Sequence, residues 1–249
     1  MSTSVSIATA IKLLPTYCRS ILTMPRDANE RVSLFSLSRQ YYRWCRDFRR
    51  PAELGRECAP WMPFSAIDFI QGKLTKEQSI FEFGAGQSTL YFARRIKNVV
   101  TVEHDQAWAE RVRNKAAHDR LQNISIIVAP PSKEEQASHR DPADLDSYVS
   151  SDRALSNYSF REYASAIDRF DDASFDFIII DGRARPSCMK HAVNKLAPGG
   201  WLVLDNAERP HYRAIHQALL SWDKRTFIGP GAFNHYFWKT CFWRRVKGD

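Results

Sequence analysis

Two acidic residues and a pair of glycines form the first candidate site in the sequence. Glu82 lies two residues before Gly84, and Gly86 follows within the segment FEFGAGQST, which leads from an apolar strand into a predicted helix. Glycines at such a turn let a ligand approach the backbone closely. Glu103 ends the next apolar segment, where an acidic side chain can accept hydrogen bonds from both hydroxyls of a ribose.

The spacing of these residues argues against the common phosphate-binding turns. The chain lacks the GxxxxGK[ST] pattern of a P-loop, and Thr89 stands where a dinucleotide-binding GxGxxG turn has its third glycine. Ser88 or Thr89 instead predicts a helix N-cap. The carboxylate of Glu82 disfavours a pyrophosphate and attracts a ligand ammonium group. These residues predict a ligand that has a ribose and a cation and needs no phosphate, and S-adenosylmethionine is such a ligand. An NAD-linked oxidoreductase is the alternative.

The elements that position these residues are predicted from the alternation of strand and helix patterns. Continuous apolar strands alternate with helices, which indicates a parallel sheet covered on both faces. Two β-rich segments without an intervening helix end the chain and predict an antiparallel hairpin. The predicted fold class is therefore α/β, a Rossmann-like doubly wound sheet of five parallel strands plus a terminal antiparallel hairpin. The strand segments are SIFEFG, VVTVEHD, ISIIVAP, FDFIIID and GGWLVLDN, then RTFIGPGAF and HYFWKTCFWRRV.

The chain is predicted to divide into a basic helical extension, residues 1–59, and a domain of residues 60–249. In the extension, RQYYRWCRDFRRP interleaves arginine with aromatic residues. Its aromatic side is expected to pack on the domain, and a nucleic-acid or anionic-membrane surface is the alternative. Residues 131–158 form a long polar connection, which predicts either a substrate loop or a plain disordered insertion.

Composition limits the class of protein further. The 249 residues carry a net charge of +8, which permits an anionic partner without requiring one. The five cysteines are scattered and include no CxxC pair, so a reducing compartment is expected. No uncharged apolar run is long enough to span a bilayer, and no secretory signal is recognised. We therefore expect a cytoplasmic protein without a transmembrane segment, for which a nucleic-acid partner is allowed but not favoured.

Four segments in order carry a resemblance to a known family. FEFGAGQST, VEHD, FDFIIIDGRARP and LAPGGWLVLDN resemble the class I S-adenosylmethionine-dependent methyltransferases, and the resemblance covers about residues 60–245. They also resemble a bacterial subgroup of uncharacterised methyltransferase-like proteins, some encoded near glycan or secondary-metabolite genes. The resemblance implies methyl transfer to a hydroxyl of a small molecule or sugar. An RNA or protein methyltransferase and a non-catalytic S-adenosylmethionine-binding module are the alternatives.

The resemblance also implies roles for individual residues in cofactor binding. It places an acid, two glycines and a hydroxyl around the methionine end of S-adenosylmethionine, an acid on the ribose, and a ring beside the adenine. An acid after the fourth strand should face the methyl group and the substrate. These residues are Glu82, Gly84, Gly86, Ser88 and Thr89 for the turn, Glu103 for the ribose, His104 for the adenine, and Asp181 for the methyl group.

Three oxygen-bearing side chains at the ends of neighbouring strands predict a metal site. Asp181 follows the fourth strand, and Asp205 and Asn206 follow the fifth. Hard oxygen ligands with open positions suit Mg²⁺. The set resembles the Asp…Asp-Asn site of catechol-type O-methyltransferases, in which the metal draws substrate oxygens beside the methyl donor. The alternative is that Asp205 and Asn206 merely cap the next turn.

The candidate catalytic residues are Asp181, Arg183 and His211. The catechol-type family has a lysine base shortly after its first Asp, whereas this chain has Arg183 and Arg185 there. Arginine stays protonated and is a poor base, but it suits an anionic substrate group such as a carboxylate or phosphate. His211 follows the fifth strand and is a candidate general base, because imidazole titrates near neutral pH.

Overall fold

The computed structural model describes residues 5–27, 32–48, 54 and 59–246. Nine strands occur in this part of the chain. They are β1 (Ser79–Phe83), β2 (Asn98–Glu103), β3 (Ile124–Val128), β4 (Ser132–Lys133), β5 (Tyr158–Ser159), β6 (Phe175–Ile180), β7 (Leu196–Leu204), β8 (Asp223–Gly229) and β9 (Trp238–Arg244).

Eight α-helices flank these strands in the described residues. They are α1 (Ile7–Thr23), α2 (Leu34–Phe48), α3 (Phe64–Gln71), α4 (Gln87–Ala93), α5 (Gln106–His118), α6 (Arg161–Ala164), α7 (Arg185–Ala192) and α8 (Arg213–Ala218).

Seven strands form one sheet in the order β3-β2-β1-β6-β7-β9-β8. The pairs β1–β2, β2–β3, β1–β6 and β6–β7 are parallel, whereas β9 is antiparallel to both β7 and β8. This arrangement confirms the predicted sheet of five parallel strands with a terminal antiparallel hairpin. The strand order reverses between β1 and β6, and an open α/β sheet binds ligands outside the carboxyl ends of its strands at such a point.

The sheet separates two apolar clusters because successive side chains of a strand point to opposite faces. Phe81 and Ile178 belong to the cluster under α6, α7 and α8. Ile80 and Phe177, each one residue away, belong to the cluster on the other face, which also contains side chains of α1, α2 and α3. Apolar residues on both faces explain why these strand sequences are continuous apolar runs.

The aromatic side chains of α1 and α2 contact the connection between β8 and β9. The ring of Tyr17 lies edge-on to that of Phe237, with 5.0 Å between centroids. The indole N–H of Trp44 donates to the backbone oxygen of Asn234 at 2.8 Å. The predicted extension over 1–59 lies partly outside the described residues, and its separation from the domain of 60–249 stays a prediction.

The expectation that the chain has no transmembrane segment depends on the length and the apolar character of its helices. In the ranges that the structure describes, no helix combines the length and the apolar character that crossing a bilayer requires.

Replacing Trp44 should reveal how strongly α2 is tied to the sheet. Trp44 is fully buried, so Trp44→Ala should lower the free energy of unfolding by about 3–5 kcal/mol. Phe35→Ala, on the exposed side of the same helix, is the matched control and should change it by less than about 0.5 kcal/mol. Urea unfolding measures both. Equal, small effects would show that α2 contributes nothing to the cooperative unit.

Candidate functional site

A cavity of about 590 Å³ lies at the carboxyl ends of the parallel strands. Its volume falls within the roughly 300–1,000 Å³ common for ligand pockets. Most of the predicted site residues line it, although they come from four separate segments of the chain. The predicted residues on its wall are Gly84, Gly86, Ser88, Glu103, His104, Asp181, Arg183 and His211. Glu82, Thr89, Asp205 and Asn206 are not on the wall.

The two glycines of the turn after β1 differ in what they contribute. Gly84 has φ of +104°, a conformation that side chains with a Cβ rarely adopt. A Cβ on Gly84 would also lie 3.1 Å from the Cα of Gly182, so the two loop backbones touch. Gly86 is extended, and a Cβ there would meet no atom within 4 Å. Gly84 is therefore required by conformation, whereas Gly86 keeps the cavity open.

Glu103 ties the turn after β1 to the turn after β2. Its Oε2 accepts a hydrogen bond from the backbone N–H of Ala85 at 3.0 Å. Its Oε1 accepts from the backbone N–H groups of His104 and Asp105 at 2.8 and 2.9 Å. The Nδ1 atom of His104 lies 2.6 Å from the same oxygen. The carboxylate is thus fixed at the cavity wall, with acceptor capacity left for a ribose hydroxyl.

Glu82 lies beneath the turn instead of on its surface. Thr89 donates its hydroxyl to Oε2 of Glu82 and accepts the backbone N–H of Gly86, at 2.9 Å in the latter case. The other oxygen, Oε1, is buried without a hydrogen-bond partner among the described residues. Burial raises the pKa of Glu82 to about 7, and the charge of Asp181 adds to the shift. This carboxyl is therefore poised to ionise when a cation binds nearby.

The buried guanidinium of Arg185 occupies the centre of the predicted metal site. It donates to Oδ1 of Asp181 at 2.9 Å, and it lies 3.5 Å from Oδ1 of Asn206. It also donates to the backbone oxygen of Asp205 at 2.5 Å. The structure therefore places a cation of the chain itself against the side chains of Asp181 and Asn206 and against the backbone of Asp205.

The side chain of Asp205 has other partners than a metal. Its Oδ1 accepts hydrogen bonds from Nε1 of Trp238 at 2.9 Å and from Oγ1 of Thr240 at 2.5 Å. Burial raises the pKa of Asp205, and the nearby charge of Asp181 adds to this. A divalent ion would compete with a fixed guanidinium, so these residues do not fit Mg²⁺. Within the described residues, no group of three or more His, Cys, Asp or Glu side chains is arranged to hold a metal ion.

His211 lines the cavity with its Nε2 buried and without a hydrogen-bond partner among the described residues. Burial lowers the pKa of His211, and the positive charges of Arg209 and Arg185 lower it further. The imidazole is therefore neutral at physiological pH and can accept a proton. Arg209 lines the same wall, is exposed, and has no ion-pair partner in the described part of the chain.

The connection over residues 131–158 forms part of the cavity wall. The short strands β4 and β5 pair at its two ends. Within it, Tyr148 donates its backbone N–H to Ser187 at 3.0 Å, and its hydroxyl lies 3.1 Å from Nε2 of His191. Val149 and its neighbours line the cavity, and Asp152 pairs with Arg183 at 3.0 Å. The segment is packed in place, and its role in acceptor binding stays a prediction.

Several wall residues escaped the sequence analysis. Trp108 donates its indole N–H to the backbone oxygen of Ala85 at 2.7 Å and lines the cavity from α5. Gly182 cannot carry a Cβ, which would lie 1.9 Å from the hydroxyl of Tyr163. Arg209 lies in the segment LDNAERPHY, five residues after the end of β7. This position close to a strand end could have predicted it as a site residue. The position of Trp108 within a helix gave no comparable signal.

Comparison with known proteins places the fold in a family. A family model described as a methyltransferase domain matches residues 81–207, about half of the chain. The chain therefore belongs to this family, and it is a class I S-adenosylmethionine-dependent methyltransferase. None of the curated proteins compared with the sequence matches it.

Solved structures show the same fold at low sequence identity. One is the O-methyltransferase TomG from Streptomyces achromogenes, involved in tomaymycin synthesis and solved with S-adenosylmethionine. It is 17% identical, with a TM-score of 0.54 over 94% of this chain and 96% of that chain. Another is the O-methyltransferase from Bacillus cereus, solved with S-adenosylhomocysteine. It is 15% identical, with a TM-score of 0.52 over 98% of this chain and 93% of that chain. At these identities the likeness shows the fold alone.

Removing Arg185 should destabilise the protein more than removing a surface arginine. Arg185 is 7% exposed and its partner Asp181 is 31% exposed. Arg185→Ala should cost about 3 kcal/mol, the lower end for a broken buried pair, because water reaches Asp181. Arg183→Ala breaks an ion pair of similar length that is over a third exposed on both sides, and should cost less than about 1 kcal/mol. Urea unfolding compares them, and equal costs would contradict the central role of Arg185.

The raised pKa of Glu82 predicts a pH dependence of stability in the protein without ligand. Between pH 4.5 and about 7 the folded protein keeps a proton on Glu82 that the unfolded chain releases. The free energy of unfolding therefore loses a contribution as pH rises through this window. In Glu82→Gln this side chain stays uncharged at every pH. Across the window the wild type should therefore lose about 1.4 kcal/mol more of its unfolding free energy per pH unit than the variant does.

The control for this experiment is Glu110→Gln, an exposed position on α5. It should keep the wild-type pH dependence in urea unfolding curves recorded across the window. If Glu82→Gln keeps it as well, Glu82 is already ionised in the folded protein.

Proposed function

We propose that the protein transfers a methyl group to a hydroxyl oxygen of a small molecule or sugar that also carries an anionic group. The observation that carries this proposal is the pairing of a neutral histidine with an unpaired arginine on one wall of the cavity. His211 can take a proton there, and Arg209 can bind a carboxylate or phosphate. Arg183, already paired with Asp152, is a second cation on the wall.

The cavity residues fit S-adenosylmethionine, which supplies an electrophilic methyl group when bound. Glu103 would accept the ribose hydroxyls, because its carboxylate is already fixed by backbone N–H groups of two turns. The open space beside Gly86 would admit the amino-acid end. The orphaned Oε1 of Glu82 lies below that turn and would balance a ligand ammonium group. The ring of His104 beside the adenine is part of the same proposal.

The chain's own residues would perform the remaining work of the reaction. The imidazole of His211 takes the proton of the acceptor hydroxyl as the oxygen bonds to the methyl carbon and the carbon–sulfur bond breaks. Asp181 stands at the end of β6, held by Arg185, and positions the acceptor for displacement. The segment around Val149 lines the cavity and would shield the reacting atoms from water on that side.

The proposal is tested by measuring S-adenosylhomocysteine release with matched acceptors. Each pair should contain the same hydroxyl with and without the anion, such as a hydroxyaromatic carboxylate and its neutral amide, or a sugar phosphate and the free sugar. A charge-assisted hydrogen bond from Arg209 should raise kcat/KM for the anionic member by about tenfold or more. Addition of a chelator should leave the rates unchanged.

Two variants assign the roles. His211→Gln should lower kcat by about 100-fold with little change in KM, because the base is lost. Arg209→Gln should raise KM for the anionic acceptor and leave the neutral one unaffected. Arg213→Gln, an exposed neighbour that does not line the cavity, is the control and should behave as wild type. Equal rates for anionic and neutral acceptors would refute the anion subsite. Cofactor binding without turnover of any acceptor would indicate a non-catalytic module.

A further inference from the structure

The outer face of α1 carries an apolar stripe that no part of the described chain covers. Ile7, Ile11, Leu14 and Leu22 are 80%, 65%, 47% and 77% exposed, and Cys18 between them is exposed as well. Spacings of three and four residues place all five on one side of the helix. At 1.5 Å per residue, the helix of 17 residues is about 25 Å long. A contiguous exposed apolar surface of this kind marks an interaction site.

The helix cannot turn this stripe inward, because its opposite face is already engaged. Tyr17 packs against the rings of Tyr41 and Trp44, with centroids 4.8 and 5.0 Å away. The hydroxyl of Tyr17 donates to the backbone oxygen of Leu37 at 2.6 Å, and Ser20 donates to the backbone oxygen of His235. The exposed stripe is therefore a fixed feature of the folded surface.

Both charged side chains of α1 are positive. Lys12 and Arg19 are exposed on α1, which contains no acidic residue, and neither has an ion-pair partner among the described residues. The two acids in the described part of residues 5–48 are engaged, because Asp27 pairs with Lys239 at 3.0 Å and Asp47 pairs with Arg46 at 2.7 Å. The surface thus combines aliphatic side chains with unbalanced cations.

We propose that α1 docks the protein onto an anionic lipid bilayer, lying in the interface with its stripe among the acyl chains. Lipid offers apolar chains to the isoleucines and leucines and anionic headgroups to Lys12 and Arg19. A second copy of the chain would bring its own cations against these cations. An RNA would neutralise the cations but leave the aliphatic side chains in water.

The experiment is sedimentation of the full-length protein with vesicles of phosphatidylcholine alone or mixed in equal parts with phosphatidylglycerol. Binding should require phosphatidylglycerol and weaken with salt. Ile11→Asp should lower the partition coefficient by at least about tenfold, because it removes an inserting side chain. Lys12→Gln and Arg19→Gln should each lower it about fivefold.

Leu220→Asp is the matched control. Leu220 is 84% exposed and follows α8, which packs on the opposite face of the sheet, so this variant should bind vesicles as wild type does. All four substituted positions are exposed, so every variant should be folded, and thermal unfolding verifies this. Absence of binding to anionic vesicles, or equal binding by Ile11→Asp, overturns the proposal. A dimer in analytical ultracentrifugation that Ile11→Asp dissociates overturns it in favour of a second copy. RNA binding that depends on Lys12 but not on Ile11 overturns it in favour of nucleic acid.

Discussion

The hydrogen bonds of the buried guanidinium of Arg185 hold together the end of the cavity beside Asp181. Its donors reach the backbone oxygens of Asp181, Gly182 and Asp205 and the carboxylate of Asp181. Its Cζ atom lies 5.6 Å from the ring centroid of Tyr212. Burial of a cation costs free energy unless its donors are hydrogen-bonded, and these acceptors satisfy the donors of Arg185. Because these acceptors follow β6 and β7, one side chain joins two strand ends. The site has a permanent cation where the sequence predicted a metal.

The same end of the sheet is shaped by backbone contacts that leave little freedom. Gly84 and Gly182 touch across the ends of β1 and β6, and Glu103 ties the next turn to them through backbone N–H groups. A site assembled in this way needs little ordering when a ligand arrives, which favours affinity. The part of the cavity around Gly84 and Glu103, where we propose that the cofactor binds, is therefore built by the backbone. The part proposed for the acceptor depends on the side chains of His211 and Arg209.

The two faces of the sheet serve different purposes. One face packs under α6, α7 and α8, the helices that follow the strand ends around the cavity. The other face packs under α1, α2 and α3, so the basic helices are joined to the aromatic core of the sheet. Trp44 and Tyr17 connect them to the β8–β9 connection. That packing leaves the outer side of α1 exposed, and the membrane proposal concerns this side alone.

The sequence by itself determined the sheet and the location of the site. Continuous apolar segments alternating with helices require a parallel sheet, and the residues after such strands must meet at one edge, which is why Gly84, Glu103 and Asp181 could be assigned to one cavity. Only the tertiary structure decided which way the side chains point. It placed Arg185 beside the predicted metal ligands, and it placed Glu82 beneath the glycine turn, where Thr89 donates a hydrogen bond to it. Those outcomes depend on contacts between segments far apart in the chain, and local pattern carries no information about such packing.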